Sequence, residues 1–216
     1  MGAFAFLVVV AYCEVYSCAR TTAMSKLESL LQEVRACRVC EPYLPNPPRP
    51  VLRAAEGARL MIVGQAPGRR VHDTGIPWND PSGDTLRAWL QLSRDEFYDA
   101  SRIAIIPTAF CYPGKGLHGD LPPRAECAPL WHPRLRVALP GIQLTLLIGS
   151  YAQAYYLQGR RQRTLADTVR NYGEYLPTFL PLPHPSPRNQ LWFKRHPWFA
   201  AEVLPELRRL LHTLLA

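Results

Sequence analysis

Apolar positions along this chain recur with two different periods. Leu27, Leu30, Leu31 and Val34 keep helical spacing and stop at Cys37, after an opening Met24-Ser25-Lys26 that starts like an amphipathic helix. Arg59–Gly64 is a short apolar run closed by Gly, which suits a buried strand feeding a tight turn. Ile103–Ala109, Leu144–Gly149 and Phe179–Leu182 repeat that form, the last ending at His184. Between the runs the pattern turns helical. Asp84–Leu92 reads as a helix with Ser82 as its N-cap, and Ser93 to Glu96 as a capping box before a further short helix. Arg124–Leu139 is an interrupted helix, a helix runs through Leu157 after the third strand, and Trp198–Leu215 closes the chain. The Pro-rich segment Glu41–Val51 is a loop, since Pro supplies no N–H to a helix or ladder. Apolar runs alternating with helical patterns predict a three-layer α/β/α sandwich around a four-stranded, mostly parallel central sheet. In such a sheet ligands bind beyond the carboxyl ends of the strands. Gly64-Gln65-Ala66-Pro67-Gly68, Cys111 with its neighbours, and His184-Pro185-Ser186-Pro187 all fall there.

The first residues stand apart from this pattern. Phe4–Tyr12 is apolar but too short to span a bilayer as a helix, and neither Lys nor Arg precedes Arg20, unlike a secretory signal. Residues 1–23 read as a mis-assigned translation start or a disordered extension, with a cleaved signal as the minority alternative, and residues 24–216 as the domain. Composition adds that the chain is 216 residues long and 48% hydrophobic, enough apolar material for a full core. The 25 Lys and Arg against 17 Asp and Glu give a net charge of +8, which favours an acidic partner such as nucleic acid or a membrane surface. Without residues 1–23 four of the six cysteines remain, and a cytoplasmic protein with reduced thiols is expected.

Those four are Cys37, Cys40, Cys111 and Cys127. A redox CxxC normally opens a helix after a strand, whereas this one ends a helix before a Pro-rich loop. Four thiolates from two distant segments suit zinc or an iron–sulfur cluster, and residue type alone does not separate the two. The bland alternative is four unrelated buried thiols.

Three features together resemble the uracil-DNA glycosylase superfamily, most closely its iron–sulfur branch, family four. Gly64-Gln65-Ala66-Pro67-Gly68, then Gly75-Ile76-Pro77-Trp78 and Gly83, are similar to that branch's first motif. The four cysteines match its cluster ligands in order and spacing, and His184-Pro185-Ser186-Pro187 is similar to its second motif. The resemblance covers Leu27 to the C-terminus. It implies a [4Fe–4S] cluster in place of zinc, and a monomeric enzyme acting on DNA that contains uracil or other deaminated bases, with no membrane partner.

It also implies site roles. Trp78 stands where the family places a stacking Phe, and His184 where it places a donor to the base oxygen. Arg188 takes the place of the family's apolar wedge, with Leu191 and Trp192 beyond it. Asn189, Lys194 and Arg195 join it as candidate DNA contacts, with His196 adding charge. Two departures stand out. Gln65 replaces the family-four Glu, and Ala66 replaces the Asp of other branches, so the first motif carries no carboxylate. Asp73, Asp80 and Asp84 are the nearest acids. Asp80 is the expected replacement, because a related branch uses an Asp at nearly this distance, and Asn79 is an alternative for orienting water. Pro107 replaces the base-reading Asn, which leaves reading to Thr108, Asn79, Gln65 or the backbone. No Lys is placed as a Schiff-base nucleophile, so strand cleavage is not expected. A non-catalytic protein binding damaged or single-stranded DNA is the alternative.

Overall fold

In the computed structural model, residues 24–117 and 119–216 are described. The expectation for residues 1–23 lies outside the described residues. In chain order the elements are α1 (Lys26–Arg35), β1 (Leu60–Val63), α2 (Arg69–Thr74), α3 (Pro81–Leu90), α4 (Arg94–Phe97), β2 (Ile103–Ile105), β3 (Lys115–Gly116), β4 (Gly119–Asp120), α5 (Cys127–Ala138), β5 (Leu144–Ile148), α6 (Gly149–Leu157), α7 (Leu165–Arg170), β6 (Phe179–Leu182), α8 (Gln190–Arg195) and α9 (Leu204–Leu215).

The central sheet has the order β2-β1-β5-β6 and every pairing in it is parallel, with Ile62 opposite Leu146 and Leu146 opposite Leu180. Pro181 fits because β6 is an edge strand. Side chains alternate across the sheet. Leu60 and Ile62 face one layer, where Leu86, Leu90, Phe97, Leu207 and Leu211 of α3, α4 and α9 cover them. Met61 and Val63 face the other, against Leu27, Leu31 and Val34 of α1, Leu135 of α5 and Ala152 of α6. The three-layer expectation holds, and the sheet is wholly parallel.

Several local expectations change. The cap of α3 is Asp80, not Ser82: its Oδ1 accepts from Gly83 N at 2.8 Å, and Pro81 takes the first helical position. Strand β2 ends at Ile105 rather than Ala109, because Pro107 has no N–H for the ladder. Thr108 N and Ala109 N bond across to Gly64 O and Gln65 O instead, so the chain leaving β2 is pinned to the loop leaving β1. The closing helix opens with a wider turn at Phe199–Val203 before α9. The segment Glu41–Val51 contains one short helical turn, Glu41–Tyr43. The hairpin β3–β4 and the helices α2, α7 and α8 were not expected from the pattern.

One buried residue ties the layers together. His132 of α5 is 1% exposed. Its Nε2–H donates to Pro107 O at 3.0 Å, which leaves Nδ1 to accept from the Tyr156 hydroxyl at 2.7 Å. Burial pushes its pKa down from 6.5 to about 4, against the pull of the Pro107 carbonyl. The unfolded chain therefore takes up this proton first. The stabilisation is complete above pH 6.5 and is lost as pH falls from there toward 4, amounting to about 3 kcal/mol. Denaturant titrations at pH 7 and pH 4 are expected to show a loss smaller by about that amount in His132→Gln. Equal losses in both proteins would refute this.

Candidate active site

The strand order changes direction between β1 and β5, and the cleft opens at the carboxyl end of β1, where an open parallel sheet binds ligands. The cleft measures about 430 Å³ out to its open mouth. Gly64, Gln65, Ala66, Pro67 and Gly68 form its floor, Trp78 and Asp80 one wall, and His184 another. Val51, Ile105, Pro77 and Pro107 complete an apolar lining.

Trp78 is held by strain and by absence of bulk. Its φ of 56° lies in the left-handed region, which costs a bulky residue on the order of 1–3 kcal/mol. Two glycines make room for it. A Cβ at Gly64 would sit 2.8 Å from the indole Cζ2, and one at Gly83 would sit 1.8 Å from the Trp78 carbonyl oxygen. Buried Arg87 donates to that carbonyl at 3.3 Å and pairs with Asp84 at 2.5 Å, while the Tyr98 hydroxyl donates to Pro77 O at 2.8 Å. Arg87 and Tyr98 hold the Pro77–Trp78 backbone and were missed by sequence reasoning; the signal for Arg87 was a charged residue on the apolar side of α3.

His184 faces the indole, ring centroids 5.6 Å apart and planes at 34°. Burial holds its pKa below the usual histidine value, while the charge of Asp80 pulls it the other way. Its carbonyl accepts from the Asn189 amide at 2.8 Å, which fixes the Pro-rich loop that carries it. Asp80 is thus a wall of the cleft and the cap of α3 at once, with Oδ1 on Gly83 N. Of the other acids considered, Asp73 pairs with Arg69 at 3.0 Å and Asp84 with Arg87, and neither lines the cleft.

The remaining candidates divide. Gln65 and Ala66 line the cleft; the Gln65 amide donates a long bond to Leu121 O, at 3.4 Å. Asn79 is not a wall: its amide oxygen accepts from Arg94 at 3.3 Å. Thr108 is buried, and its hydroxyl donates to Gly64 O at 2.6 Å, so it clamps the floor rather than facing the cleft. A wider groove continues outward past Asp80 and His184, bounded by Arg188, Asn189, Ser186, Gly119 and Asp120. Arg188 lies against the β3–β4 hairpin, close enough that a Cβ at Gly119 would stand 2.6 Å from its guanidinium. Asp120 is a further carboxylate that sequence reasoning did not single out. Lys194 and Arg195 are exposed on α8.

The four cysteines meet elsewhere, around a second cavity of about 350 Å³ between the end of α1, the loop after β2 and the start of α5. They are free thiols. Burial pushes Cys111 up to about 11 and Cys127 up to about 12, and the neighbouring sulfurs push the same way. Among the described residues no three His, Cys, Asp or Glu side chains are set to hold a single metal ion. Four cysteine thiols lining one cavity are a donor set that suits a thiolate-held metal or cluster.

Residues 53–208 match the family model of the Uracil DNA glycosylase superfamily. The chain belongs to this superfamily. A solution NMR structure of a candidate uracil DNA glycosylase from Methanosarcina acetivorans aligns over 74% of this chain and 97% of its own, at 16% identity and a TM-score of 0.45. Membership supports a glycosylase-type activity on DNA. Cys37 and Cys40 precede the matched span, whereas Cys111 and Cys127 lie within it. Among the described residues no helix is long and apolar enough to cross a membrane.

Proposed function

We propose that this protein is a monofunctional DNA glycosylase that hydrolyses the N-glycosidic bond of uracil, and of other deaminated bases, in DNA. The observation that carries the reading is the convergence of Trp78, His184 and Asp80 on one apolar cleft. A glycosylase takes its base out of the stack and holds it in a pocket. Trp78 offers a flat wall for the ring. As the bond breaks, its electron pair leaves with the base and positive charge grows on the sugar. Neutral His184 donates an N–H to the base oxygen where negative charge collects, and Asp80, with one oxygen on Gly83, keeps the other for the sugar side. Water then adds to the sugar carbon, and its released proton goes to the departing base or to solvent. Pro107 has no side-chain donor, and its carbonyl is taken by His132, so base reading falls to Gln65 and backbone groups. That widens the substrate range beyond uracil.

The deciding assay incubates purified protein with oligonucleotides carrying one uracil, or one hypoxanthine, and counts abasic sites. Abasic sites at uracil support the reading. Damaged-DNA binding without abasic sites would establish the binding-only alternative, which the engagement of Asp80 as a helix cap favours.

The reading includes a [4Fe–4S] cluster on Cys37, Cys40, Cys111 and Cys127, which would tie α1 to α5 across the loop after β2. When bound, such a group is a structural staple and a one-electron site. Anaerobically purified protein is expected to be brown with about four iron per chain. Colourless protein with one zinc per chain would refute it. Cys127→Ala is expected to lower thermal stability more than excision.

DNA affinity is expected to fall steeply with salt, with a log–log slope of roughly −0.9 per phosphate neutralised on duplex. Arg188 at the outer groove and the exposed Lys194 and Arg195 of α8 motivate this. A slope near zero in a binding titration would argue against the DNA partner. Arg188→Ala costs more on duplex than on single strands if the guanidinium fills the stack, and equally on both if it touches only phosphate.

A further inference from the structure

The cysteine cavity contains two polar atoms that the fold leaves without partners. Trp131 lies on α5 one turn past Cys127, is 7% exposed and lines the cavity. Its indole Nε1–H is buried and meets no acceptor among the described residues. Arg124, just before α5, lines the same cavity, and its Nε–H is also buried without a partner. The rest of the Arg124 guanidinium is engaged: it bonds to Glu126 at 2.5 Å, lies 4.4 Å over the Tyr43 ring and reaches the Cys40 thiol. Among the described residues one further buried atom without a partner, His72 Nδ1, lies outside the cavity.

A buried N–H with no acceptor costs about 1–3 kcal/mol, and native folds rarely leave two at one place. The indole N–H is a donor only, as is the guanidinium, so the missing partner must accept. Between the polar groups the cavity wall is apolar, with Leu44, Pro48, Pro50 and Phe110. Four thiols and two unpartnered donors around one space call for an occupant that ligates sulfur and carries negative charge.

We infer that Trp131 and Arg124 donate hydrogen bonds to the sulfur of the cluster held by Cys37, Cys40, Cys111 and Cys127, and thereby raise its reduction potential. This rests on the cluster reading above. The reduced group carries one more negative charge than the oxidised one, so N–H donors stabilise the reduced form more. These two residues are positioning groups that set how easily the cluster takes an electron, and they stand outside the excision cleft.

The test compares anaerobically purified holoprotein as wild type, Trp131→Phe and Arg124→Lys. Iron and acid-labile sulfide are measured first, then the midpoint potential by titration with dithionite, which supplies the single electron. Each variant is expected to keep its iron and colour and to show a reduction equilibrium about tenfold less favourable, which is 59 mV for one electron. Resonance Raman in H2O and D2O gives a second reading that needs no reduction. The iron–sulfur stretches shift on deuteration in the wild type, and Trp131→Phe loses part of that shift. Wild-type potentials and deuterium shifts in variants with full iron would overturn the inference while leaving the cluster intact. Should Trp131→Phe fail to hold iron, Arg124→Lys decides by the same criteria. Iron-free wild-type protein would overturn the cluster reading and this inference together, and the iron assay alone tells the two failures apart.

Discussion

Asp80→Asn is expected to lower single-turnover uracil excision by a factor on the order of 10²–10³ while leaving damaged-DNA binding nearly intact. The substitution isolates charge from architecture. Asp80 caps α3 through Oδ1, and Asn caps a helix as well as Asp does, so the Gly83 bond and the helix survive. What disappears is the negative charge beside the growing positive charge on the sugar, in a cleft whose apolar walls keep the local dielectric low. His184→Ala is expected to cost a similar factor by removing the donor to the departing base. Gln65→Ala costs less, because an amide contributes a dipole and no net charge. Asp120 offers the discriminating control, since it lies in the outer groove and not in the cleft wall. Wild-type excision by Asp80→Asn together with a slow Asp120→Asn would move the carboxylate to the hairpin.

The sheet was legible because its signal is local. Leu60 to Val63 is a four-residue run buried on both faces, and nothing competes with a strand there. The amphipathic helix α1 was equally plain, with a capping box at Ser25 and Glu28 and four apolar residues on one side. The short elements were not. Helix α2 has a single buried residue, Val71, so it leaves no periodic trace. The hairpin of β3 and β4 pairs only two residues on each side and has no alternation to read. The choice between Asp80 and Ser82 as the cap turns on Pro81, which takes the first helical position and leaves the cap to the residue before it.

The candidate site divides along the same line. Residues that a motif presents in one stretch, such as Gln65, Ala66, Trp78, Asp80 and His184, do meet in one cleft. Those whose fate depends on a distant partner could not be placed. Asn79 is drawn to Arg94 and Thr108 to Gly64 O, and neither bond has any local signature. Arg87 was missed for the converse reason: its task is to hold a carbonyl nine positions earlier, and only packing shows that. The cysteines were separated by the whole of β1 and β2 in sequence, and the loop after β2 carries Cys111 to the others.

Gly83→Ala is expected to disable the cleft through the backbone alone. In the sequence Gly83 closes the first motif and carries no side-chain chemistry of its own. In the structure it is the point on which Trp78 and Asp80 both depend. Its N–H is the donor to Asp80 Oδ1, and its Cα stands so close to the Trp78 carbonyl that an added Cβ would lie 1.8 Å from the oxygen. Real Cβ contacts never come so near, and the obstacle is backbone, so it cannot rotate away. Either the Trp78 carbonyl swings off, losing its bond to Arg87, or the first turn of α3 retreats and pulls Asp80 with it. Both routes move the base-stacking wall and the carboxylate apart. Excision is therefore expected to fall at least as far as in Asp80→Asn, and stability by about 1–3 kcal/mol, the usual cost of overfilling a packed site. Arg87→Ala is expected to act in the same direction and more weakly, since it frees the carbonyl without forcing it. Single-turnover excision and urea unfolding measured on the same preparations check both quantities. An active Gly83→Ala protein with unchanged stability would mean that Trp78 and Asp80 do not act as the joined walls of one catalytic cleft.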